Sequence, residues 1–140
     1  MRVVTLEEHI SLPQFDNRIS KEARMARGWP TPDSATSPMK RVEEALAEVG
    51  DMRIKSMDEA GVTVQVLSVT APDGDIMEAD KAVAYAKEYN DEIKRLTDMH
   101  ASRFAAFAVL PMKAAEAAAE ELERAVTQHG FCGHDDKRNH

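Results

Sequence analysis

Apolar and polar residues alternate along the chain in blocks that predict strands followed by helices. The β-branched run at residues 2–6 predicts a buried first strand, and the valine-rich run at 62–69 predicts a second. Apolar residues then recur at helical spacing over 78–99. A third apolar run at 103–111 predicts another strand, and the alanine- and glutamate-rich segment 114–128 predicts the helix after it.

A long polar stretch and two helical segments separate the first two predicted strands. Residues 11–38 contain most of the prolines and the only tryptophan, which predicts a loop with a helical turn around 21–26. A helical pattern begins at Met39 and is interrupted at Gly50, and a second helical segment stops at Gly61.

The order of these elements predicts an α/β fold built from parallel βα units. The predicted strands are apolar along their length, as expected for a parallel sheet covered on both faces. An open doubly wound sheet and an eight-unit barrel share this plan, and both bind ligands at the carboxyl ends of their strands. Glu7 and His9 follow strand one, and residues 70–75 follow strand two, so these positions are the candidate site.

Glu7 and His9 are the first chemically suggestive pair. Residues two apart on a strand point to the same side, so a carboxylate and an imidazole could bind one metal ion together. The alternative is a strand end whose polar side chains are simply solvated, because short Glu/His patterns are common.

Composition narrows the class of protein. A chain of 140 residues with 43% hydrophobic and 31% charged residues predicts one soluble domain with a core. The net charge of −7 argues against nucleic acid or an anionic membrane as a partner, and no apolar run approaches the ~20 residues of a membrane helix. Cys132 is the single cysteine, so no intrachain disulfide forms and a cytoplasmic location is expected.

Four segments carry a family resemblance, and they occur in the family's order: VTLEEHISLP (4–13), RIKSMDEAGVTVQVLSVTAP (53–72), YNDEIKRLTDMHASRFAAFAVLPM (89–112) and AAEELERAVTQHGFCG (118–133). Together they resemble the amidohydrolase-related family, in particular its non-oxidative decarboxylases of hydroxybenzoates such as γ-resorcylate. In that branch a Glu-x-His motif ends the first barrel strand.

The resemblance implies a TIM-barrel-like (β/α)8 fold of which residues 1–133 are the first three βα units, with a long loop at 11–38. It implies that Glu7 and His9 are the first two ligands of a divalent metal ion, zinc being expected first and manganese or magnesium as alternatives. By the same resemblance, Thr70 is expected on the substrate side, and a small aromatic carboxylic acid is the expected substrate. In the family the metal holds the substrate's carboxylate and adjacent hydroxyl.

The length of the chain leads to two hypotheses. An eight-unit barrel takes about 250 residues, so the barrel is expected to be incomplete, with a polar, disordered tail at 134–140. The first hypothesis is a truncated, inactive portion of a metal-dependent carboxy-lyase or hydrolase. The second is a non-catalytic remnant or self-association module, in which the open sheet leads to a homo-oligomer.

Overall fold

The three predicted strands form one parallel sheet. The structure is a computed structural model that describes residues 1–31, 36–71 and 73–135, without the side chain of Ser37. The strands are β1 (Val4–Ile10), β2 (Val64–Val69) and β3 (Phe104–Ala106), hydrogen-bonded in the order β1-β2-β3. This confirms the α/β class, and among the described residues the sheet is not closed into a barrel.

In the part of the chain that the structure describes, six α-helices connect and follow the strands. They are α1 (Pro13–Asp16), α2 (Lys21–Ala26), α3 (Ser37–Ala47), α4 (Asp51–Ala60), α5 (Ala79–Asp98) and α6 (Ala115–His129). Gly61 and Gly130 end α4 and α6 in the left-handed conformation, at φ +72° and +71°. A residue in the left-handed conformation ends the helix, and glycine adopts this conformation at little energetic cost. Both glycines therefore mark helix ends in the sequence.

The main core lies between the sheet and the helices. β2 contributes Leu67 and Val69 to it, and α5 contributes Tyr85, Tyr89 and Ile93. Alternation along β2 directs Val66 and Ser68 to the opposite face, yet both are also buried. The middle strand is therefore covered on both faces, as its continuous apolar run predicts.

The segment predicted as a loop at 11–38 has more structure than expected. It includes α1, α2 and the start of α3, and of these only the turn at 21–26 was predicted. Leu12, Phe15 and Ile19 are buried in the core, whereas Trp29 remains 38% exposed. The segment is therefore anchored through its first half.

The first and third strands differ in length from the prediction. β1 runs to Ile10 rather than ending at residue 6, so Glu7 and His9 lie within the strand. β3 stops at Ala106 although the apolar run continues to residue 111. The side-chain amide of Asn90, on α5, bonds both the N–H and the carbonyl of Val109 at 2.8 Å, in place of a neighbouring strand.

A fourth strand begins to pair with the sheet after α6. The N–H of Cys132 donates to Ala106, the N–H of Ala108 donates to Gly133, and Ala108 forms a parallel bridge with His134. The predicted tail at 134–140 thus starts with a paired residue, and its residues 136–140 lie outside the described ranges. No helix in the described part of the chain is long and apolar enough to cross a membrane.

Candidate metal and substrate site

β1 contains an irregularity at the candidate ligands. Thr5 pairs with Gln65 and Glu8 pairs with Leu67, so β1 has one residue more than β2 over this stretch. Glu7 adopts φ +57° and is the one described non-glycine residue with positive φ. A single extra residue in the left-handed conformation makes a β-bulge, which redirects the side chains around it. The bulge therefore occurs at one of the two predicted ligands.

The residues that flank the candidate ligands show which face they occupy. Ile10 is fully buried in the core beneath the helices. Glu8 is half-buried and faces Arg53 of α4 in the same groove. Because side chains alternate along a strand, His9 is directed to the face opposite Glu8 and Ile10.

Glu7 and His9 are both exposed, and neither side chain has a hydrogen bond or ion pair to another described residue. A carboxylate and a neutral imidazole are suitable donors for zinc or manganese, so the pair fits a divalent ion in kind. Within the described ranges, no three His, Cys, Asp or Glu side chains come close enough to hold a metal. The donors are therefore available but supply only part of a coordination shell.

Ser68 lies beside His9 and was not predicted from the sequence. The two residues are paired in the β1-β2 register. The Ser68 side chain is 1% exposed, and its hydroxyl has no hydrogen-bond partner among the described residues. In the sequence, Ser68 is recognisable as a polar residue within an apolar strand. Its place next to His9 follows only from the pairing of β1 with β2.

Thr70 lies where β2 leaves the sheet. Its N–H donates to the carbonyl of Ile10 at 2.9 Å, so it is next to the carboxyl end of β1 as predicted from parallel pairing. Thr70 is half-buried and lines a cavity of about 300 Å³ together with the buried Arg24 and with Trp29. Neither Glu7 nor His9 is among the residues that line this cavity.

The loop after β2 carries two further carboxylates. Burial, reinforced by the neighbouring Asp73, raises the pKa of Asp75, and one of its carboxylate oxygens is buried without a hydrogen-bond partner. Both carboxylates line a small cavity together with His134. The Nδ1 of His134 lies 2.9 Å from the carbonyl of Ala108. The segment after β2 thus brings polar side chains to the carboxyl end of that strand.

Arg53 is a second residue that sequence reasoning missed. Its guanidinium donates to the carbonyl of His9 at 3.2 Å and to the Gln65 side chain at 3.3 Å. Burial lowers the pKa of Arg53, whereas Glu48 and Glu8 act in the opposite direction. The arginine therefore joins α4 to both strands that carry the candidate site.

Comparisons with known proteins identify relatives over most of the chain. The family model described as Amidohydrolase matches residues 15–135. γ-Resorcylate decarboxylase of Rhodococcus jostii (strain RHA1) is 32% identical over 133 residues, which cover 93% of this chain and 36% of that protein.

Solved structures agree with the sequence matches. The 2,6-dihydroxybenzoate decarboxylase from Rhizobium superposes with a TM-score of 0.78 at 32% identity, covering 96% of this chain and 38% of that one. The dihydroxybenzoic acid decarboxylase from Polaromonas sp. JS666, solved with bound manganese and the inhibitor 2-nitroresorcinol, gives a TM-score of 0.75 at 30% identity, with 96% and 38% covered. The chain spans little more than a third of the length of these relatives.

Proposed function

The chain belongs to the amidohydrolase family, and from this premise we propose that it is the part of a metal-dependent carboxy-lyase that supplies the first two metal ligands. Its three parallel βα units correspond to the first part of a TIM-barrel-like fold. The proposed reaction is the non-oxidative decarboxylation of a hydroxybenzoate-like acid. The similarity to dihydroxybenzoate decarboxylases over more than nine-tenths of the chain carries this proposal.

In this proposal Glu7 and His9 bind the ion, and Thr70 lies on the substrate side. The exposure of both ligand side chains, and their freedom from other described partners, support these roles. We take Mn²⁺ rather than Zn²⁺ as the ion to test, because the Polaromonas relative contains manganese. Such an ion would supply a positive charge that holds an anionic substrate.

The isolated chain is proposed to be inactive. Two protein donors give a weak metal site, because tight divalent sites use three or four. Among the described residues, no third His, Cys, Asp or Glu side chain lies close enough to complete a metal site with Glu7 and His9. We expect the isolated chain to bind Mn²⁺ no more tightly than about micromolar and to release no CO₂ from 2,6-dihydroxybenzoate.

A chimaera tests the proposed ligands in a complete barrel. Residues 1–133 of this chain replace the corresponding first part of the Rhizobium decarboxylase, and CO₂ release and bound manganese are measured. The chimaera is expected to be active, and Glu7→Ala and His9→Ala are each expected to abolish activity and to lower the manganese content. Glu8→Ala is the matched control, since Glu8 is directed to the helix-covered face.

The outcomes separate the ligand assignment from the proposed reaction. An active chimaera in which Glu7→Ala retains full manganese and turnover would show that Glu7 is not a ligand. A folded chimaera that binds manganese but does not decarboxylate any dihydroxybenzoate would contradict the proposed reaction while keeping the metal site.

The second candidate function is self-association, and the exposed edge of β1 favours it. β1 is the outer strand of the described sheet, and Val4 and Leu6 on it are 46% and 64% exposed. An open edge with apolar side chains tends to pair with another strand. Light scattering is expected to show dimers or larger species that Leu6→Lys disperses, whereas a monodisperse monomer at high concentration would rule this candidate out.

A further inference from the structure

Arg53 connects four parts of the fold around the candidate ligands. It is the third residue of α4, and its guanidinium reaches β1, β2 and the end of α3. On β1 the acceptor is the carbonyl of His9, one of the two candidate ligands. The bond joins the main chain of that residue, so it does not occupy the imidazole.

The rest of the contacts hold Arg53 itself in place. Its Nε donates to the carbonyl of Glu48 at 2.8 Å, and Nη2 also donates to the carbonyl of Ala45 at 3.2 Å. The Glu48 carboxylate in turn accepts from the Arg53 N–H at 2.7 Å. A planar guanidinium that serves several fixed acceptors has little freedom to move, which makes it suitable as a rigid support.

The segment that Arg53 supports is conformationally unfavourable. Glu7 has φ +57°, a conformation in which the Cβ of an L-residue is crowded. Such a residue persists where surrounding contacts hold it. Arg53 supplies such a contact just after the bulge, through the carbonyl of His9.

We propose that Arg53 is a positioning residue that maintains the Glu7 bulge and thereby presents Glu7 and His9 for metal binding. The bulge depends on Arg53 through the hydrogen bond to the His9 carbonyl. Its consequence for metal binding rests on the function proposed for Glu7 and His9. The two parts are tested by different measurements.

The first measurement follows the backbone of Glu7 without metal. In the labelled full chain, the Cα and Cβ chemical shifts and the HN–Hα coupling of Glu7 report whether it is left-handed or extended. Arg53→Met is expected to lose the left-handed signature. If that variant does not fold, Arg53→Lys replaces it, because an ammonium keeps the charge but cannot serve the same set of acceptors.

Arg103→Met is the matched control. Arg103 also binds two main-chain carbonyls, those of Val62 and Thr63, and pairs with Asp58 at 2.7 Å. These contacts lie at the amino end of β2, away from Glu7. The control therefore removes a comparable arginine anchor and is expected to leave the Glu7 signature unchanged.

The second measurement uses Mn²⁺ alone as a probe. Paramagnetic broadening of the amides of residues 7–9 is followed as Mn²⁺ is added to each variant. The wild-type chain is expected to show broadening centred on these residues, and Arg53→Met to need about ten-fold more Mn²⁺, the scale found for supporting residues of metal ligands. Arg103→Met is expected to titrate like the wild type.

The results distinguish the two proposals. Retention of the left-handed Glu7 in a folded Arg53→Met chain would overturn the positioning role, whatever Mn²⁺ does. Absence of selective broadening at 7–9 in the wild-type chain would instead count against Glu7 and His9 as ligands, and Arg53 would still be judged by the Glu7 conformation. Equal loss of the Glu7 signature in both arginine variants would indicate general destabilisation and would also overturn the inference.

Discussion

Replacing Tyr89 with phenylalanine tests how the chain is held immediately after β1. The Tyr89 hydroxyl accepts a buried hydrogen bond from the N–H of Leu12 at 2.9 Å. One turn earlier on α5, Tyr85 is equally buried, but its hydroxyl has no partner among the described residues. The same substitution at the two positions therefore removes a working acceptor in one case and an unsatisfied hydroxyl in the other.

The structure predicts opposite effects of the two substitutions on stability. Tyr89→Phe leaves the buried Leu12 N–H without a partner, which costs about 1–3 kcal/mol. Tyr85→Phe removes a polar group that gains nothing from its burial, so the free energy of unfolding should be unchanged or rise by up to about 1 kcal/mol. Burial raises the pKa of both tyrosines, so both hydroxyls stay protonated across the neutral range and the comparison does not depend on pH there.

Urea unfolding and hydrogen exchange provide the assay. With a urea dependence of about 1–3 kcal/mol per molar, a loss of about 2 kcal/mol lowers the midpoint by roughly 1 M. The amide of Leu12 should also lose protection in Tyr89→Phe and keep it in Tyr85→Phe. Equal losses of stability in the two variants would contradict this prediction, because they would assign the effect to ring packing rather than to the hydrogen bond.

Three further predictions concern the bulge, a buried carboxylate and the end of β3. Glu7→Gly should leave the thermal stability unchanged or raise it, because glycine tolerates φ +57°. Glu8→Gly, at an ordinary φ, should lower the free energy of unfolding by about 0.5–1 kcal/mol. Equal losses of stability in the two variants would contradict the strain at Glu7. Asp75→Asn should stabilise the chain at pH 7 but not below about pH 4. The pKa of Asp75 is raised in the folded chain, so the free energy of unfolding falls as the pH rises through the folded-state pKa and the carboxylate ionises. A gain in stability that persists at low pH would exclude this cause. Asn90→Ala should cost about 3 kcal/mol or more in urea unfolding, since it leaves the N–H and carbonyl of Val109 buried without their partner; a loss under about 1 kcal/mol would indicate that water replaces the amide.

The positions of the longer elements could be predicted from the sequence because they depend on local patterns. The helical spacing over 78–99 predicts α5 to within one residue at each end. The segment 114–128 predicts α6 to the same accuracy. Gly61 marks a helix end because the left-handed conformation that closes α4 suits glycine better than other residues.

The ends of the strands could not be predicted in this way, because a strand lasts only as long as its neighbour pairs with it. The apolar run at 103–111 continues past β3, but the Asn90 side chain takes the main-chain bonds of Val109. β1 extends over polar residues because β2 pairs with it up to Ile10. In both cases the deciding partner is distant in the sequence.

The candidate site also has features that depend on local sequence and features that depend on contacts between distant segments. From the sequence alone one can recognise that Glu7 and His9 are a carboxylate and an imidazole, of a kind suited to a divalent ion, and that they come after an apolar run. The bulge at Glu7 could not be recognised in this way, because it arises from the pairing of β1 with β2, in which β1 has one residue more. The same holds for Arg53, 44 residues from His9 in the chain, which supports the strand through a main-chain carbonyl that any residue would offer. Side-chain chemistry can be read from a sequence, whereas register and main-chain contacts arise only when distant segments pack together.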